Sequence, residues 1–323
     1  MSLNERALPA AAESAETAPH AAAPPAQPTV RADAEPAPPL NIWFDGAVCP
    51  QTLLSAPLTS HALHYGTGVF EGIRSYATAR GAAVFRLPEH LERMRKGADA
   101  FGIAFDPAEA TAATLAVLRA NHHRDAYVRP LLWLGTGSLG LDVAPLSRHL
   151  MVASMPWASH LGADRVRLTR SPFRRNRADA LPPLKLCGAY VNSVLAKREA
   201  AARGFGEALF TDENGFIVEC TGENVFLVKD GRVTAVDHPD ALPGITRDTI
   251  VELTGAPSRP VTLEELLDAD EVFLTGTSAE VTGVSALDAR DYAQRKFTDE
   301  LRQLYLNVVR GRVASHRHWL TEV

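Results

Sequence analysis

Two consecutive prolines, followed by one lysine and a helix-like stretch, place the strongest constraint on how this chain folds. The stretch runs from Leu181 to Ala200 and reads LPPLKLCGAYVNSVLAKREA. Pro182 and Pro183 cannot lie inside a helix, because each lacks a backbone donor and its ring clashes with the preceding turn. After Gly188 the apolar residues recur at the spacing of one helix face. Lys185 is therefore predicted on a short extended segment just before a helix.

The neighbours of Lys185 predict an unusual setting for its amine. Leu184, Leu186 and Cys187 surround it in the sequence, and loss of hydration favours the uncharged form of an amine. An uncharged amine that is held in place can form a Schiff base with a carbonyl compound. Lysines in loops are more often exposed to solvent, so this residue indicates no function by itself.

Composition and charge argue against several classes of protein. The chain has 323 residues, 46% of them hydrophobic, and its net charge is −5 at pH 7. That charge, without a basic stripe, disfavours a nucleic-acid partner. No apolar run approaches the ~20 residues of a membrane span. The three cysteines form no CxxC pair, which favours reduced thiols and a cytoplasmic location. The arginine-rich run Arg174–Arg177 is interpreted as a solvated turn.

The order of predicted elements indicates two domains after a leader. Residues 1–39 are dominated by alanine and proline, which predicts a disordered leader without a catalytic role. Residues 40–155 are predicted to form a small N-terminal domain, and residues 156–165 an interdomain loop. Residues 166–323 contain many strands and hairpin signals and are predicted to form the larger C-terminal domain. The predicted fold class is α/β.

Two arginines are candidate anion-binding residues. Arg86 follows a predicted strand and precedes a helix, where a guanidinium can clamp a phosphate through paired donors. An ordinary structural ion pair is the simpler interpretation of this residue alone. Arg129 lies in the apolar run Tyr127–Leu134 and needs a partner, because an unpaired buried charge is costly. That partner is either a protein carboxylate or a substrate carboxylate.

An acid and two anion-binding turns follow the lysine. Glu219 ends a predicted strand, where it either faces a pocket or is an ordinary edge-strand glutamate. Ile245 and Thr246 begin a helix, whose first N–H groups are free to bind an anion. Thr277 and Ser278 follow a strand and a glycine and offer further donors. An amine, an acid and phosphate donors are the groups that pyridoxal phosphate requires.

Several sequence blocks in the same order resemble the class IV aminotransferases, the fold type IV pyridoxal phosphate enzymes, and most nearly their branched-chain amino acid aminotransferases. The resemblance runs from about Asn41 to the C-terminus. The blocks are SHALHYGTGVFEGIR, VFRLPEHLERM, AYVRPL, KLCGAYVNS, VECTGENVFLVKDG, LPGITRD and DEVFLTGTSAEV. It implies a small α/β domain, a larger domain with a barrel-like sheet, and a homodimer or higher homo-oligomer whose active sites borrow a loop from the partner.

The resemblance also implies roles for individual residues. Lys185 is expected to form the Schiff base with pyridoxal phosphate, Glu219 to pair with the pyridine nitrogen, and Tyr190 to donate to the ring oxygen. The expected phosphate ligands are Arg86, Ile245, Thr246 and Thr277. The expected substrate-binding residues are Tyr65, Phe70, Tyr127, Arg129, Trp157, His160, Thr277 and Ser278. Arg129 is expected to receive the distal carboxylate of glutamate.

The implied reaction is transamination of branched-chain or related aliphatic L-amino acids with 2-oxoglutarate, which gives 2-oxo acids and L-glutamate. Lys185 is expected to serve as base and then as acid, in ping-pong kinetics. Small-molecule substrates are the expected ligands, and no metal site is predicted. Three alternatives are an aminodeoxychorismate lyase, a D-amino-acid aminotransferase, and a binding module without catalysis.

Three positions depart from the pattern of the resembled family. His160 lies where an aromatic pocket tyrosine is expected, and the charge of a histidine depends on pH. Cys187 occupies a position where a small residue is common, and the segment Asp237–Ala241 is unusual. These departures predict a specialised enzyme that acts on an unusual aliphatic amino acid.

Overall fold

The fold is that of a computed structural model, which describes residues 40–157 and 165–323. The predicted leader, residues 1–39, lies outside the described residues. So do His160 and most of the predicted interdomain loop. The division into a smaller and a larger domain stays a prediction.

The N-terminal part alternates strands with three helices. Its strands are β1 (Asn41–Phe44), β2 (Ala47–Pro50), β3 (Gly68–Phe70), β4 (Ile73–Thr78), β5 (Gly81–Phe85), β6 (Ala126–Leu134) and β7 (Arg148–Pro156). Its helices are the short α1 (His61–Tyr65), α2 (Leu87–Ala100) and α3 (Pro107–Ala120). Both longer helices carry a proline in the first turn, where its missing donor costs nothing.

The C-terminal part is richer in strands, as the hairpin signals predicted. The strands are β8 (Arg165–Arg170), β9 (Glu207–Thr211), β10 (Ile217–Cys220), β11 (Asn224–Lys229), β12 (Arg232–Val236), β13 (Ser258–Arg259), β14 (Glu271–Gly276), β15 (Glu280–Leu287), β16 (Arg290–Asp291) and β17 (Leu320–Glu322). The helices are α4 (Tyr190–Ala202), α5 (Ile245–Thr254), α6 (Leu263–Leu267) and α7 (Lys296–Val309). Thr262 and Glu265 form a capping box at the start of α6, with both of its hydrogen bonds present.

Within the described residues the strands form two sheets. The first has eight strands in the antiparallel order β17-β5-β4-β6-β7-β1-β2, with β3 paired to β6. The second has nine strands in the order β10-β9-β8-β15-β14-β11-β12-β13, with β16 paired to β15. The C-terminal strand β17 thus completes the N-terminal sheet. The predicted mixed α/β class with a barrel-like C-terminal sheet is confirmed.

The lysine segment is held against β3, which fixes the start of α4. Lys185 O accepts a hydrogen bond from Phe70 N at 3.2 Å, and Cys187 N donates to Gly68 O at 2.8 Å. Gly66 has φ +66°, and a Cβ on it would lie 2.6 Å from Gly188 Cα. Two backbones therefore approach each other closely here, and a glycine is needed at position 66.

Helix α4 is confirmed, but most of its predicted apolar face is not buried. Of the apolar residues at that spacing, Val191, Val194 and Leu195 are 60%, 63% and 45% exposed in the chain, whereas Ala196 is buried, together with Ser193. Across residues 40–157 and 165–323, no helix combines the length and apolar character needed to cross a bilayer.

Candidate active site

The amine of Lys185 lies in a cleft between the two sheets. Its Nζ donates a hydrogen bond to Tyr190 Oη at 2.6 Å. The rings of Phe70 and Tyr190 lie 4.9 and 4.8 Å from the nitrogen. The structure thus brings Lys185, Phe70 and Tyr190 together as predicted, with a phenol and two aromatic faces around one amine.

The carboxylate of Glu219 is buried and held by three donors. Arg175 Nε donates to Oε1 at 2.7 Å, and Leu242 N donates to Oε2 at 3.1 Å. Asn224 Nδ2 is a longer third donor at 3.4 Å. Burial raises the pKa of Glu219, and the Arg175 guanidinium opposes that rise. The solvated turn assigned to Arg174–Arg177 is wrong for Arg175, which is 8% exposed.

The anion-binding end of the cleft gathers donors from both halves of the chain. Its lining includes Gly72, Arg93, Lys185, Ile245, Thr246, Thr275, Thr277 and Ser278. Helix α5 begins here, and the first N–H groups of a helix have no partner inside it. The Oγ1 of Thr275 is buried and has no hydrogen-bond partner among the described residues. The arrangement offers backbone and hydroxyl donors to one anionic group.

Arg93, which the sequence reasoning missed, supplies the guanidinium at this end. Its Nε and Nη2 donate to Glu71 at 2.7 and 2.8 Å, and Nη1 donates to Pro243 O at 2.8 Å. A guanidinium carries five N–H donors, so two remain after these three bonds. Its nearness in sequence to Arg86, in the same block, was the available signal.

Arg86 is not among the residues that line the cleft, contrary to the predicted role. Its Nη2 lies 2.9 Å from Glu252 Oε2 and its Nη1 3.2 Å from Glu89 Oε1. The guanidinium carbon sits 3.9 Å from the centre of the Trp319 ring. Two carboxylates and an aromatic face surround this cation, so it serves in structural ion pairs, although its Nε and Nη2 make no hydrogen bond among the described residues.

The rest of the cleft, about 690 Å³, is mainly aromatic and apolar near the lysine. Tyr127 and Trp157 stack with ring centres 4.8 Å apart, and Phe70 and Met155 complete this wall. A Cβ on Gly72 would lie 2.2 Å from Tyr127 Oη, so a glycine is required for the tyrosine to reach the cleft.

Arg129 faces this wall without a carboxylate partner among the described residues. Its Nη2 donates to Tyr127 Oη at 2.8 Å, and its guanidinium lies over the Phe70 ring at 4.8 Å. Its Nε is buried and has no hydrogen-bond partner there. Of the two partners that the sequence left open for Arg129, the structure supplies no protein carboxylate.

Tyr65 lies outside the cleft lining of its own chain. It is 47% exposed, and its Oη donates to Leu139 O at 3.0 Å. His160 lies outside the described residues. A Cβ placed on Gly68 would lie 3.0 Å from Cys187 Sγ. Burial raises the pKa of the Cys187 thiol.

Two further buried carboxylates border the cleft and were not predicted. Glu207 and Glu223 are 1% and 3% exposed. Lys197 Nζ and Thr221 Oγ1 donate to Glu207 at 2.6 and 2.7 Å. Burial, and then the charge of Glu207, raises the pKa of Glu223 to about 8. Near neutral pH this side chain is therefore a carboxylic acid.

The sequence profile of the amino-transferase class IV family matches residues 68–287 of this chain. The branched-chain-amino-acid aminotransferase of Pseudomonas aeruginosa is 34% identical over 297 residues, or 87% of this chain and 97% of that protein. The same enzyme of Escherichia coli (strain K12) is 36% identical over 299 residues, with equal coverage. The crystal structure of the T.th. branched-chain amino acid aminotransferase complexed with N-(5′-phosphopyridoxyl)-L-glutamate is 42% identical, with a TM-score of 0.83 and coverage of 88% of this chain and 98% of that one.

Proposed function

This chain belongs to the class IV aminotransferase family, and we propose that it transfers amino groups between branched-chain L-amino acids and 2-oxoglutarate with pyridoxal phosphate as cofactor. Arg129 is the observation that carries this proposal. The two half-reactions of such an enzyme place an apolar side chain and a carboxylate side chain in the same pocket. An aromatic wall beside a guanidinium, that of Arg129, which has no carboxylate partner among the described residues, suits both.

The donor set fits pyridoxal phosphate. The cofactor supplies an aldehyde that receives the substrate's amino group and a ring that withdraws electrons from its α-carbon. Lys185, Tyr190 and Glu219 are the residues proposed to hold the reactive half. The proposed phosphate ligands are Arg93, Ile245, Thr246 and Thr277, so Arg93 takes the role that the sequence assigned to Arg86. The unpartnered Thr275 hydroxyl and the two remaining Arg93 donors are the features that fit an anion here.

Lys185 is the proposed proton carrier. Its Nζ would accept the proton that leaves the substrate's α-carbon, as a general base, and would then donate it to the former aldehyde carbon of the cofactor, as a general acid. The 2.6 Å hydrogen bond to Tyr190 Oη fixes the direction of the amine. The rings of Phe70 and Tyr190 lie beside the nitrogen and limit the directions from which other groups can approach it.

Glu219 is proposed to hold a positive charge on the pyridine nitrogen. Arg175 keeps its carboxylate oriented, and Leu242 N holds the second oxygen. A carboxylate without these donors would be more easily protonated in a buried site. The negative charge that Glu219 presents at this end of the cleft therefore depends on Arg175 as well.

The substrate is proposed to lie across the mouth of the cleft. Thr277, Ser278 and Tyr127 are placed to hold its α-carboxylate, and Phe70 and Trp157 to pack against its side chain. Arg129 is proposed to bind the distal carboxylate of glutamate or 2-oxoglutarate through charge-assisted hydrogen bonds.

A homodimer is the proposed assembly. Leu58, Leu63, Leu139 and Leu141 are 85%, 63%, 51% and 79% exposed, and Tyr65 is joined to Leu139. An exposed apolar patch of this kind is typical of a protein interface. In a dimer Tyr65 would meet the partner's cleft rather than its own. Free cysteines at all three positions fit the proposed cytoplasmic location.

A panel of amino donors with 2-oxoglutarate, read out as L-glutamate formed, tests the function. L-leucine, L-isoleucine and L-valine are expected to react faster than aromatic amino acids and D-amino acids. A Lys185→Ala variant is expected to lose turnover while Lys229→Ala, a surface change, keeps it. Pyruvate release without an acceptor, a preference for D-amino acids, or turnover by Lys185→Ala would overturn the proposal.

A further inference from the structure

Glu71 is a completely buried carboxylate with two basic partners. It lies at the corner between β3 and β4 and has 0% exposure. Arg93 binds both of its oxygens, through Nε to Oε1 and Nη2 to Oε2. His90 Nδ1 lies 2.8 Å from Oε2 as well. A carboxylate removed this far from water needs such partners.

The charges within this trio are determined by burial and by Arg93. Burial alone would raise the pKa of Glu71, but Arg93 and His90 lower it overall. Burial lowers the pKa of His90, which favours a neutral imidazole as the donor to Glu71. The Arg93 guanidinium is the charged partner of the Glu71 carboxylate.

The same guanidinium connects the trio to the anion-binding loop. Arg93 Nη1 donates to Pro243 O at 2.8 Å, and Gly244 N-caps α5, which begins at Ile245. Glu71 belongs to the N-terminal sheet and Pro243 to a loop of the C-terminal part. Three of the five Arg93 donors are thus fixed from two directions, which leaves the other two little freedom to reorient.

We propose that Glu71 is a positioning residue that, with His90, orients Arg93 and the loop before α5 to grip the phosphate group of the cofactor. This inference rests on the proposed function. Glu71 touches neither substrate nor cofactor; it acts through Arg93. A preorganised donor pair binds an anion without the entropy cost of ordering a long side chain at the moment of binding.

Two effects oppose each other when Glu71 is neutralised. Glu71→Gln leaves the Arg93 charge less compensated, which strengthens its attraction for an anion. It also replaces one acceptor oxygen with an NH2 group that faces an Arg93 donor, so the guanidinium must turn. If positioning dominates, phosphate affinity falls; if charge dominates, it rises.

Titration of the cofactor-free full chain with pyridoxal phosphate and with pyridoxal, which lacks the phosphate, separates these effects. The dissociation constant of pyridoxal divided by that of pyridoxal phosphate measures how much the phosphate group adds to the affinity. The change in absorbance on binding gives each constant. Glu71→Gln is expected to reduce this ratio by about 10- to 100-fold, the loss typical of residues that orient metal ligands. Its affinity for pyridoxal is expected to stay near the wild-type value.

Further variants keep the test independent of folding. Glu271→Gln removes another buried carboxylate, which binds Phe297 N and Thr298 N far along the chain, and is expected to leave the ratio unchanged. Glu71→Gln combined with Arg93→Met is expected to have the ratio of Arg93→Met alone. If Glu71→Gln does not fold, His90→Leu replaces it, with a smaller expected loss and rescue by His90→Asn.

The outcomes distinguish the two proposals. An unchanged or larger ratio in Glu71→Gln, or additive losses in the double variant, overturns the positioning role and leaves the proposed function standing. A wild-type chain that binds neither compound overturns the proposed function and this inference with it.

Discussion

Arg175 Nε donates to Glu219 Oε1 at 2.7 Å, and the two side chains, 44 residues apart in sequence, are both almost fully buried. Removing one partner of a buried pair leaves an uncompensated charge, which costs about 3–5 kcal/mol. Arg175→Met and Glu219→Gln are each expected to lose stability of this order. The double variant is expected to recover part of it, because neither charge remains. Urea unfolding of the two single variants and the double variant measures the free energy of unfolding of each.

An exposed pair provides the control for that comparison. Arg95 and Glu92 lie 2.7 Å apart with 41% and 48% exposure, and exposed pairs contribute at most about 1 kcal/mol. Arg95→Met is therefore expected to unfold near the wild-type urea concentration. Additive losses in the Arg175 and Glu219 double variant would contradict the coupling.

Arg129 is expected to control which substrates enter each half-reaction. Hydrogen bonds to charged groups contribute about 1.5–3 kcal/mol, so Arg129→Leu is expected to lower kcat/KM for glutamate by about 10- to 100-fold. The leucine half-reaction should change far less, since its side chain is apolar. Stopped-flow absorbance of the two half-reactions gives both values. Arg129→Lys keeps the charge but not the planar fork, so its kcat/KM for glutamate should fall between the values of the wild type and Arg129→Leu. Equal losses for both substrates would refute the assignment.

Stability is expected to fall as the pH rises because of Glu223. Its pKa is raised from 4.5 to about 8 in the folded chain, so the folded state binds a proton that the unfolded state has released. A raised folded pKa stabilises most below the unfolded pKa and loses this contribution as pH rises toward 8. The effect is at most about 1.4 kcal/mol per pH unit. The groups that face Glu223 are Glu207, Lys197 and Glu219.

Thermal unfolding of wild type and Glu223→Gln between pH 5 and pH 8 tests this effect. The wild-type Tm should decline across the range, and the variant, which cannot ionise, should decline less. Parallel curves for the two proteins would show that Glu223 does not carry the dependence.

The proposed dimer is expected to depend on the apolar patch around Leu139 and Leu141. Replacing both with aspartate places charge in the interface and should give monomers by light scattering, with loss of activity. Leu267, 36% exposed on α6, provides a matched control, and Leu267→Asp should stay dimeric. A monomeric wild-type chain that is fully active would contradict the assembly.

Local sequence signals were sufficient for much of the fold and part of the site. Two prolines and a glycine around Lys185 restrict the backbone whatever lies nearby, but the predicted extended segment is wrong in detail: bends surround the prolines, Leu186 forms a single bridge with Val69, and a turn at residues 187–189 leads into α4. The N-terminus of α5 was also readable, because Pro243 and Gly244 precede a helical run. These features depend on residues that are neighbours in the chain.

Contacts between residues that are distant in the chain could not be predicted from the sequence. Arg86 and Arg93 lie in the same block, and which of them reaches the cleft depends on how the strand enters α2. Arg86 sits at that entry with φ 50° and turns towards Glu252, whereas Arg93 is drawn to Glu71. The pairing of Arg175 with Glu219 likewise appears only when β10 and the arginine-rich turn come together.

The apolar spacing of α4 gave the helix but not its buried face. Val191 and Val194 satisfy the helical period yet are exposed in the chain, whereas Ala196, which satisfies it too, is buried with Ser193 and Ala200. The helical period of the apolar residues shows that a helix has an apolar face, but it does not show which surface packs against that face.

Reduction of the purified protein with borohydride, followed by digestion and mass spectrometry, tests the central assignment most directly. Borohydride converts a Schiff base between a lysine and pyridoxal phosphate into a stable secondary amine. The phosphopyridoxyl group is predicted on the peptide that contains Lys185, and Lys185→Ala should carry none. A phosphopyridoxyl group on any other lysine, or its absence from a protein that transaminates, would contradict the assignment.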